Sequence, residues 1–176
     1  WMNKGNYDYA KTHKKYSVLI VGTKKQDLEK VLKSIKSTVE YSYVFYNNKG
    51  NFSYSAKILN LLSKISHSRY QFLTHQDIEF KDKEPFKQLE DCISHLPNKD
   101  FGVLGIAGVK LINGQITGYN YFEHRYPNWY FEVDTVDEFA MVVDKEKNLK
   151  FDEDLVGFHF YGADICLNGL NKGYPC

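Results

Sequence analysis

The sequence predicts an α/β fold in which a mixed, mainly parallel β-sheet is flanked by helices. Short apolar runs rich in β-branched and aromatic residues alternate with segments whose apolar residues recur at helical spacing. Glycine and asparagine clusters end several of these runs. The length of 176 residues suits one domain, because two halves of this size would each have a poor ratio of core to surface.

The first half contains three predicted strands and two predicted helices. The strands are Tyr16–Val21, Tyr43–Tyr46 and Tyr70–Thr74. Between them, apolar residues stand at i, i+3, i+4 and i+7 from Leu28 and again from Ile58, as on one face of a helix. This order of elements predicts parallel strands joined by right-handed crossovers.

The second half is less regular, and we expect its strands to join the same continuous sheet. A helix is predicted after Pro85, a favoured first helical residue. Another begins near Ala163 and is predicted to end at Gly173. The predicted strands of this half are Phe101–Ala107, Ile116–Phe122, Tyr130–Val136 and Phe139–Val143.

Composition limits the partners and the compartment that we expect. The net charge of +1 argues against nucleic acid or an anionic membrane as the main partner. Three cysteines without CxxC spacing argue against a disulfide scaffold or a zinc site and favour a reducing compartment. The sequence lacks an apolar stretch of ~20 residues and an N-terminal apolar core. We therefore expect no transmembrane segment, no signal peptide and a cytoplasmic protein.

Polar clusters follow each of the three strands of the first half. They are Gly22–Lys24, Asn47–Asn48 and His75–Asp77. Ligands of open parallel sheets bind outside the carboxyl ends of the strands, and these ends share one edge of the sheet. The sequence therefore predicts a binding site at this edge.

His75 and Asp77 are the first candidates for chemistry. An imidazole and a carboxylate two residues apart can point at one ion if the chain stays extended after the strand. Such ligands suit Mn²⁺ or Mg²⁺, which usually bind substrate phosphates together with one or two carboxylates. The alternative is that His75 caps the strand end and Asp77 is a turn residue or helix cap.

Acidic residues in the second half supply the other candidates. Asp164 lies at the start of the last predicted helix, where it acts either as a cap or as a general base for an acceptor hydroxyl. His159 follows Gly157 and is either a metal ligand or a histidine at the edge of the core. The cluster Asp134–Glu138 stands between two apolar runs rather than in an open polar tract.

A series of short motifs runs in order through residues 16–174. They are Gly22–Thr23, Asn47–Asn48, Ala56 with Asn60, Phe72–Asp77, Phe101–Gly108, Val133–Glu138, Phe151–Glu153 and Gly157–Leu167. Their order and spacing resemble the family 2-like glycosyltransferases of the GT-A fold, a Rossmann-like fold for nucleotide-diphospho-sugars. The particular resemblance is to the bacterial branch in which the usual Asp-x-Asp metal motif reads His-Gln-Asp.

The resemblance implies inverting transfer of a sugar from a nucleotide diphosphate donor, commonly a UDP-sugar, to a hydroxyl of a glycan or lipid-linked acceptor. It implies that Asp77 binds the Mn²⁺ or Mg²⁺ ion, with His75 at the first position of the metal motif. Asp164 matches the catalytic base, and Asp137 matches a pocket residue facing the donor sugar or the acceptor. The remaining donor-pocket residues would be Gly22, Thr23, Asn47, Asn48, Asn60 and Gln76.

The predicted domain covers residues 16–176 after an N-terminal extension of residues 1–15. Residues 16–80 would form its nucleotide-binding half and residues 81–176 its acceptor-side half. Two other functions stay open. One is a non-catalytic module that binds a nucleotide-sugar or a glycan. The other is a nucleotidyltransferase, which should carry a glycine-rich basic loop after the first strand, whereas residues 22–25 hold a single glycine.

Overall fold

The structure, a computed structural model, describes residues 7–9, 14–49, 55–81, 84–120 and 130–176. This part of the chain is mixed α/β, with a six-stranded sheet flanked by helices and a separate three-stranded sheet. The strands are β1 (Tyr7–Tyr9), β2 (Tyr16–Gly22), β3 (Tyr41–Asn47), β4 (Tyr70–Thr74), β5 (Val103–Gly105), β6 (Ala107–Ile112), β7 (Gln115–Asn120), β8 (Thr135–Val136) and β9 (Ala140–Asp144). The helices are α1 (Lys25–Ser34), α2 (Ser55–Ile65), α3 (Pro85–His95) and α4 (Tyr161–Asn171), with short 3₁₀ turns at Pro97–Lys99 and Lys145–Lys147.

The six-stranded sheet has the order β1–β3–β2–β4–β9–β5. Strands β2, β3 and β4 are parallel and are joined by α1 and α2, which confirms the predicted strand–helix alternation. Strand β9 lies between β4 and β5 and is antiparallel to both, and β1 is antiparallel to β3. The prediction of a mainly parallel sheet therefore holds only for its centre, because β9 returns to the sheet without a crossover helix.

The two faces of the sheet carry different helices. Residues of β2 alternate between them, as expected for a strand buried on both sides. Val18 and Ile20 pack in the apolar cluster that includes residues of α1 and α3. Leu19 and Val21 pack in the cluster that includes residues of α2 and α4. Each such buried side chain contributes ~1.5–3 kcal/mol relative to exposure, so β2 organises the whole core.

The predicted strand over Phe101–Ala107 and the predicted continuous sheet are both wrong in the described part of the chain. The strand is broken at Ile106, so that β5 belongs to the large sheet and β6 to the small one, whose order is β7–β6–β8. The break lies against β8, because a Cβ added at Gly105 would stand only 2.5 Å from Cβ of Val136. Glycine at this position lets the two sheets approach each other.

The small sheet is built on a hairpin with an Asn113–Gly114 turn. Both turn residues have positive φ, 52° and 79°, which fits the tight connection between β6 and β7. Of the predicted strand Tyr130–Val136, only Thr135–Val136 is in a strand. The predicted strand Ile116–Phe122 is seen as β7 up to Asn120, and residues 121–129 lie outside the described part.

The termini and the other predicted helices complete the fold. The helix predicted after Pro85 and the one near the chain's end are confirmed as α3 and α4. Within the predicted extension, β1 forms an edge strand paired with β3, while residues 1–6 and 10–13 are outside the described part. Among the described residues, no helix is long and apolar enough to cross a membrane.

Candidate functional site

The three predicted polar clusters meet at one edge of the large sheet. Gly22 at the end of β2 is paired with Asn47 at the end of β3, and Thr74 at the end of β4 is paired with Ile20. The backbone N–H of Asn48 donates to the Gly22 carbonyl at 2.8 Å. Parallel pairing thus brings residues from positions far apart in the sequence to the same end of neighbouring strands.

Gln76 connects the ends of β4 and β2. Its Oε1 accepts hydrogen bonds from the backbone N–H of Thr23 at 2.6 Å and from the Thr23 hydroxyl at 3.2 Å. A Cβ added at Gly22 would lie 2.8 Å from this same oxygen and 2.7 Å from a ring carbon of Phe45. Glycine is therefore required for Gln76 to reach the loop, which is held in place just before α1 begins at Lys25.

His75 is held by backbone and side-chain contacts. Its N–H donates to the Phe139 carbonyl at 3.1 Å, and its Nε2 lies 2.9 Å from the Tyr161 hydroxyl. That hydroxyl has one hydrogen, which can go to the Glu138 carbonyl at 3.3 Å or to Nε2. In the first arrangement Nε2 donates to Tyr161 and Nδ1 of His75 keeps its lone pair for a ligand, and in the second Nδ1 carries the hydrogen.

The electrostatic environment keeps His75 neutral. Burial lowers the pKa of His75 below its ordinary value of 6.5, although the carboxylates of Asp77, Glu138 and Asp137 act in the opposite direction. These three acids therefore lie within electrostatic range of one imidazole. Burial also raises the pKa of the Tyr161 hydroxyl far above its ordinary range, so this group stays a protonated donor.

Glu138 is a site residue that the sequence analysis did not single out. Its side chain is only 17% exposed, and Oε1 lies 3.4 Å from Nδ1 of the exposed His159. The same oxygen accepts a hydrogen bond from the backbone N–H of Phe160 at 3.2 Å. Asp137 is exposed and accepts from the Phe139 N–H at 3.0 Å. The acidic cluster Asp134–Glu138 indicated a site in this segment. Only the structure shows that Glu138 points inward and Asp137 outward.

The start of α4 closes the site from the other side. The ring of Phe158 lies over His75 with the ring centroids 4.9 Å apart. Phe160 precedes the helix with φ of 70° and is 72% exposed, an unusual backbone conformation for a bulky residue. At Gly162 an added Cβ would lie 2.7 Å from the Val136 carbonyl oxygen, so glycine allows α4 to begin this close to β8.

Asp164 lies one helical turn after Tyr161, on the same helix. Its Oδ2 accepts a hydrogen bond from the backbone N–H of Asp152 at 2.7 Å. This contact ties α4 to the loop that follows β9. It does not cap α4, which begins after Phe160 without a side-chain cap, so the predicted role of Asp164 as a helix cap is not seen. The residue is half-buried, so the carboxylate keeps access to solvent.

The described residues contain no group of three or more His, Cys, Asp or Glu side chains that could hold a metal ion. A divalent ion that binds substrate phosphates needs only one or two protein carboxylates. The exposed carboxylate of Asp77 and the lone pair on Nδ1 of His75 fit that smaller requirement. His159 lies beside Glu138, and its role as a third metal ligand stays a prediction.

Asn60 has a different setting from the other predicted donor-pocket residues. Its Oδ1 accepts from the Phe151 N–H at 3.0 Å, and its Nδ2 donates to the Phe151 carbonyl at 2.8 Å. A further contact of 3.2 Å joins Nδ2 to Glu153 Oε1. The buried amide therefore bridges α2 to the loop after β9, away from the edge where β2, β3 and β4 end.

Comparison with known proteins does not assign a role to these residues. No protein-family model matches the chain, and no curated protein matches it either.

Proposed function

We propose that this protein is a metal-dependent inverting glycosyltransferase with a GT-A fold. It moves a sugar from a nucleotide diphosphate donor, for which a UDP-sugar is the first candidate, to a hydroxyl of a glycan or lipid-linked acceptor. The observation that carries the proposal is the convergence of Thr23, Asn48 and Gln76 at one sheet edge, beside the acids around His75. The mixed sheet with helices on both faces is compatible with the fold.

The donor end of the site is formed by the loop between β2 and α1. The first amides of a helix lack intrahelical partners and carry partial positive charge, which favours a bound phosphate. Lys24 precedes α1 and adds a positive side chain at this point. Thr23 and Gln76 hold the loop in place, and Asn47 and Asn48 follow the neighbouring strand, within reach of the nucleoside.

The acidic side of the site accounts for the proposed need for a cation. Asp77, Asp137 and Glu138 would repel the negative charges of a diphosphate. Asp77, with Nδ1 of His75 beside it, would hold Mn²⁺ or Mg²⁺, which supplies the positive charge that a departing diphosphate requires. Tyr161 and Phe158 support this arrangement by orienting the imidazole of His75.

The transfer step needs a base for the acceptor hydroxyl. The acceptor oxygen forms a bond to the anomeric carbon of the donor while the bond from that carbon to the diphosphate oxygen breaks. The electron pair leaves with the nucleoside diphosphate, and the acceptor proton passes to the Asp164 carboxylate. A positioned base of this kind contributes roughly 10²–10⁴-fold to the rate. The exposed ring of Phe160 would stack on the acceptor sugar.

Calorimetric titration of UDP and GDP tests the donor site. We expect one nucleotide to bind in the presence of Mn²⁺ and not in EDTA. Asp77→Asn should weaken this binding roughly tenfold or more, because it removes the charged metal ligand. Asp91→Asn is the matched control, since it removes an exposed carboxylate from α3, which packs on the other face of the sheet from α2 and α4.

The outcomes separate the proposal from the binding module. Absence of nucleotide binding by the folded wild type, or equal binding by Asp77→Asn, would contradict the proposed site. Nucleotide binding without hydrolysis of any donor sugar would favour the non-catalytic module, which the contact between Asp164 and the Asp152 N–H also allows. Donor hydrolysis that is lost in Asp164→Asn while nucleotide binding is kept would support the transferase.

A further inference from the structure

A second cleft lies beside the loop that follows β9. Its volume is about 320 Å³, and it lies between α2, the last residues of β9 and residues 145–153. Val143 and Leu149 are its buried apolar residues. The size is at the lower limit of clefts that bind small molecules, ~300–1,000 Å³, so it suits a compact ligand rather than a dinucleotide.

Three lysines line this cleft from different elements. Lys64 comes from the last turn of α2, Lys145 is the first residue of the 3₁₀ turn after β9, and Lys150 lies in the loop beyond that turn. Within the described part of the chain, neither Lys64 nor Lys150 forms an ion pair with a carboxylate. Lys145 is half-buried and donates one hydrogen bond to the Ser66 carbonyl, and an ammonium group carries three donors.

One carboxylate, Glu153, lines the same cleft and partly offsets the three positive charges. Its Oε1 already accepts a hydrogen bond from Nδ2 of Asn60 at 3.2 Å. The side chains that line the cleft therefore carry a net positive charge. This charge is concentrated locally, because the net charge of the whole chain is only +1. Local concentration of lysines around a concave surface favours an anion over a neutral ligand.

Polar groups that suit a hydroxylated ligand accompany the lysines. Ser63 and Asn148 also line the cleft, and Asn148 is exposed with φ of 51° at the end of the 3₁₀ turn. A hydroxyl and an amide side chain supply both donors and acceptors for ligand hydroxyls. Asn60 fixes the loop that carries Lys150 by its two hydrogen bonds to Phe151, so this wall of the cleft is preformed.

We propose that this cleft binds a phosphorylated small molecule of sugar-phosphate size. Lys64, Lys145 and Lys150 contact the phosphate, and Ser63 and Asn148 contact hydroxyl groups of the remainder. The inference does not depend on the function proposed above.

The cleft is separate from the edge where His75 lies. Strand β9 is antiparallel to β4, so Asp144 is paired with Tyr70 at one end and Ala140 with Thr74 at the other. Lys145 therefore stands at the opposite end of β4 from His75. Five residues of strand span ~13 Å between their end Cα atoms, so one small ligand does not bridge the two sites.

A titration followed by amide NMR shifts tests the proposal on the full chain in EDTA and low salt. The probes are glucose 6-phosphate, inorganic phosphate and glucose. We expect glucose 6-phosphate to shift the amides of Ser63, Lys145, Asn148 and Glu153, with inorganic phosphate weaker and glucose inactive. The amide of His75 should not move. The proposed nucleotide site requires a divalent cation, which EDTA removes. A negative result in this titration would therefore not contradict the proposed nucleotide site.

A double variant, Lys64→Glu with Lys150→Glu, should raise the dissociation constant of glucose 6-phosphate roughly tenfold or more. Both positions are exposed and reversal of their charge should leave the fold intact, which the spectrum of the free variant checks. Lys33→Glu is the control, because it reverses one exposed charge on α1, on the other face of the sheet. We expect it to bind within about twofold of the wild type.

Three results would overturn the proposal. One is no shift at the cleft with glucose 6-phosphate up to about 10 mM, a concentration that detects even weak complexes. Another is binding of glucose as tight as that of its phosphate. The third is an undiminished affinity in the double variant.

Discussion

Replacement of Gly162 by alanine tests the close contact between α4 and β8 on which the candidate site depends. An added Cβ would lie 2.7 Å from the Val136 carbonyl oxygen and 3.1 Å from the Glu138 backbone nitrogen. Both neighbours are backbone atoms, so no side-chain rotation relieves the clash. The helix start must move away from β8, which displaces Tyr161 from His75.

The expected magnitude follows from two opposing effects. Overpacking of this kind costs typically ~1–3 kcal/mol. Alanine is favoured over glycine in a helix by ~1 kcal/mol, which offsets part of that cost. We therefore expect Gly162→Ala to lower the free energy of unfolding by up to about 2 kcal/mol.

Gly169→Ala on the same helix is the matched control. There the added Cβ would lie 3.4 Å from Cδ1 of Leu149 and 3.6 Å from the Tyr174 carbonyl oxygen, which are ordinary contacts. This variant should be as stable as the wild type or more stable, by up to about 1 kcal/mol. Urea unfolding followed by far-UV circular dichroism measures both variants. Gly162→Ala as stable as Gly169→Ala would refute the close approach of α4 to β8.

Two further predictions concern a histidine and an ion pair whose carboxylate is buried. Because the pKa of His75 is lowered in the folded state, the unfolded chain binds more protons below the ordinary value of 6.5. The wild type should therefore lose stability as the pH falls through 6.5, and His75→Gln, compared by urea unfolding on both sides of this pH, should lose less. Arg69→Met should lower the free energy of unfolding by about 1–2 kcal/mol, since it removes the 2.9 Å contact from the buried Asp144 carboxylate, which keeps the Glu146 N–H at 3.0 Å, and since Arg69 itself is partly exposed. The exposed pair of Lys30 with Asp27 is the control, and Lys30→Met should change the unfolding free energy by less than about 0.5 kcal/mol.

The first half of the fold was predictable because its signals are local. Each strand is an apolar run: those that begin at Tyr16 and Tyr70 are almost entirely buried, and the one over Tyr43–Tyr46 buries Val44 and Phe45. The helical spacing from Leu28 and from Ile58 needs no knowledge of distant residues. Short crossovers then leave parallel pairing as the simplest arrangement, and the structure has it.

The arrangement of the second half was not predictable from these signals. Phe101–Ala107 reads as one apolar run, but its division between two sheets depends on Val136, which packs against Gly105 from another part of the chain. The insertion of β9 between β4 and β5 is also non-local, since both pairings join residues more than 35 positions apart in the sequence. A glycine at position 105 is consistent with a close approach of another segment, but the sequence does not show that this segment is the one that contains Val136.

The candidate site divides in the same way. Thr23, Asn48, Gln76 and Asp77 were found because they follow strands, and strand ends are visible in the sequence. Glu138 was predicted only as a member of the cluster Asp134–Glu138, because alternation cannot tell which acid of a loop turns inward. Tyr161 was missed because its contact with His75 arises only when α4 packs beside the end of β4.

The two proposed sites differ in charge, and the difference has a chemical consequence. At the carboxyl ends of the parallel strands, the carboxylates of Asp77, Asp137 and Glu138 all act on His75, so the proposed diphosphate ligand would need a cation there. At the opposite end of β4, lysines line the cleft, so a phosphate can bind without one. Chelation with EDTA should therefore abolish nucleotide binding at the first site and leave phosphate binding at the second. Loss of both on chelation would mean that the lysine-lined cleft does not itself supply the positive charge for its ligand.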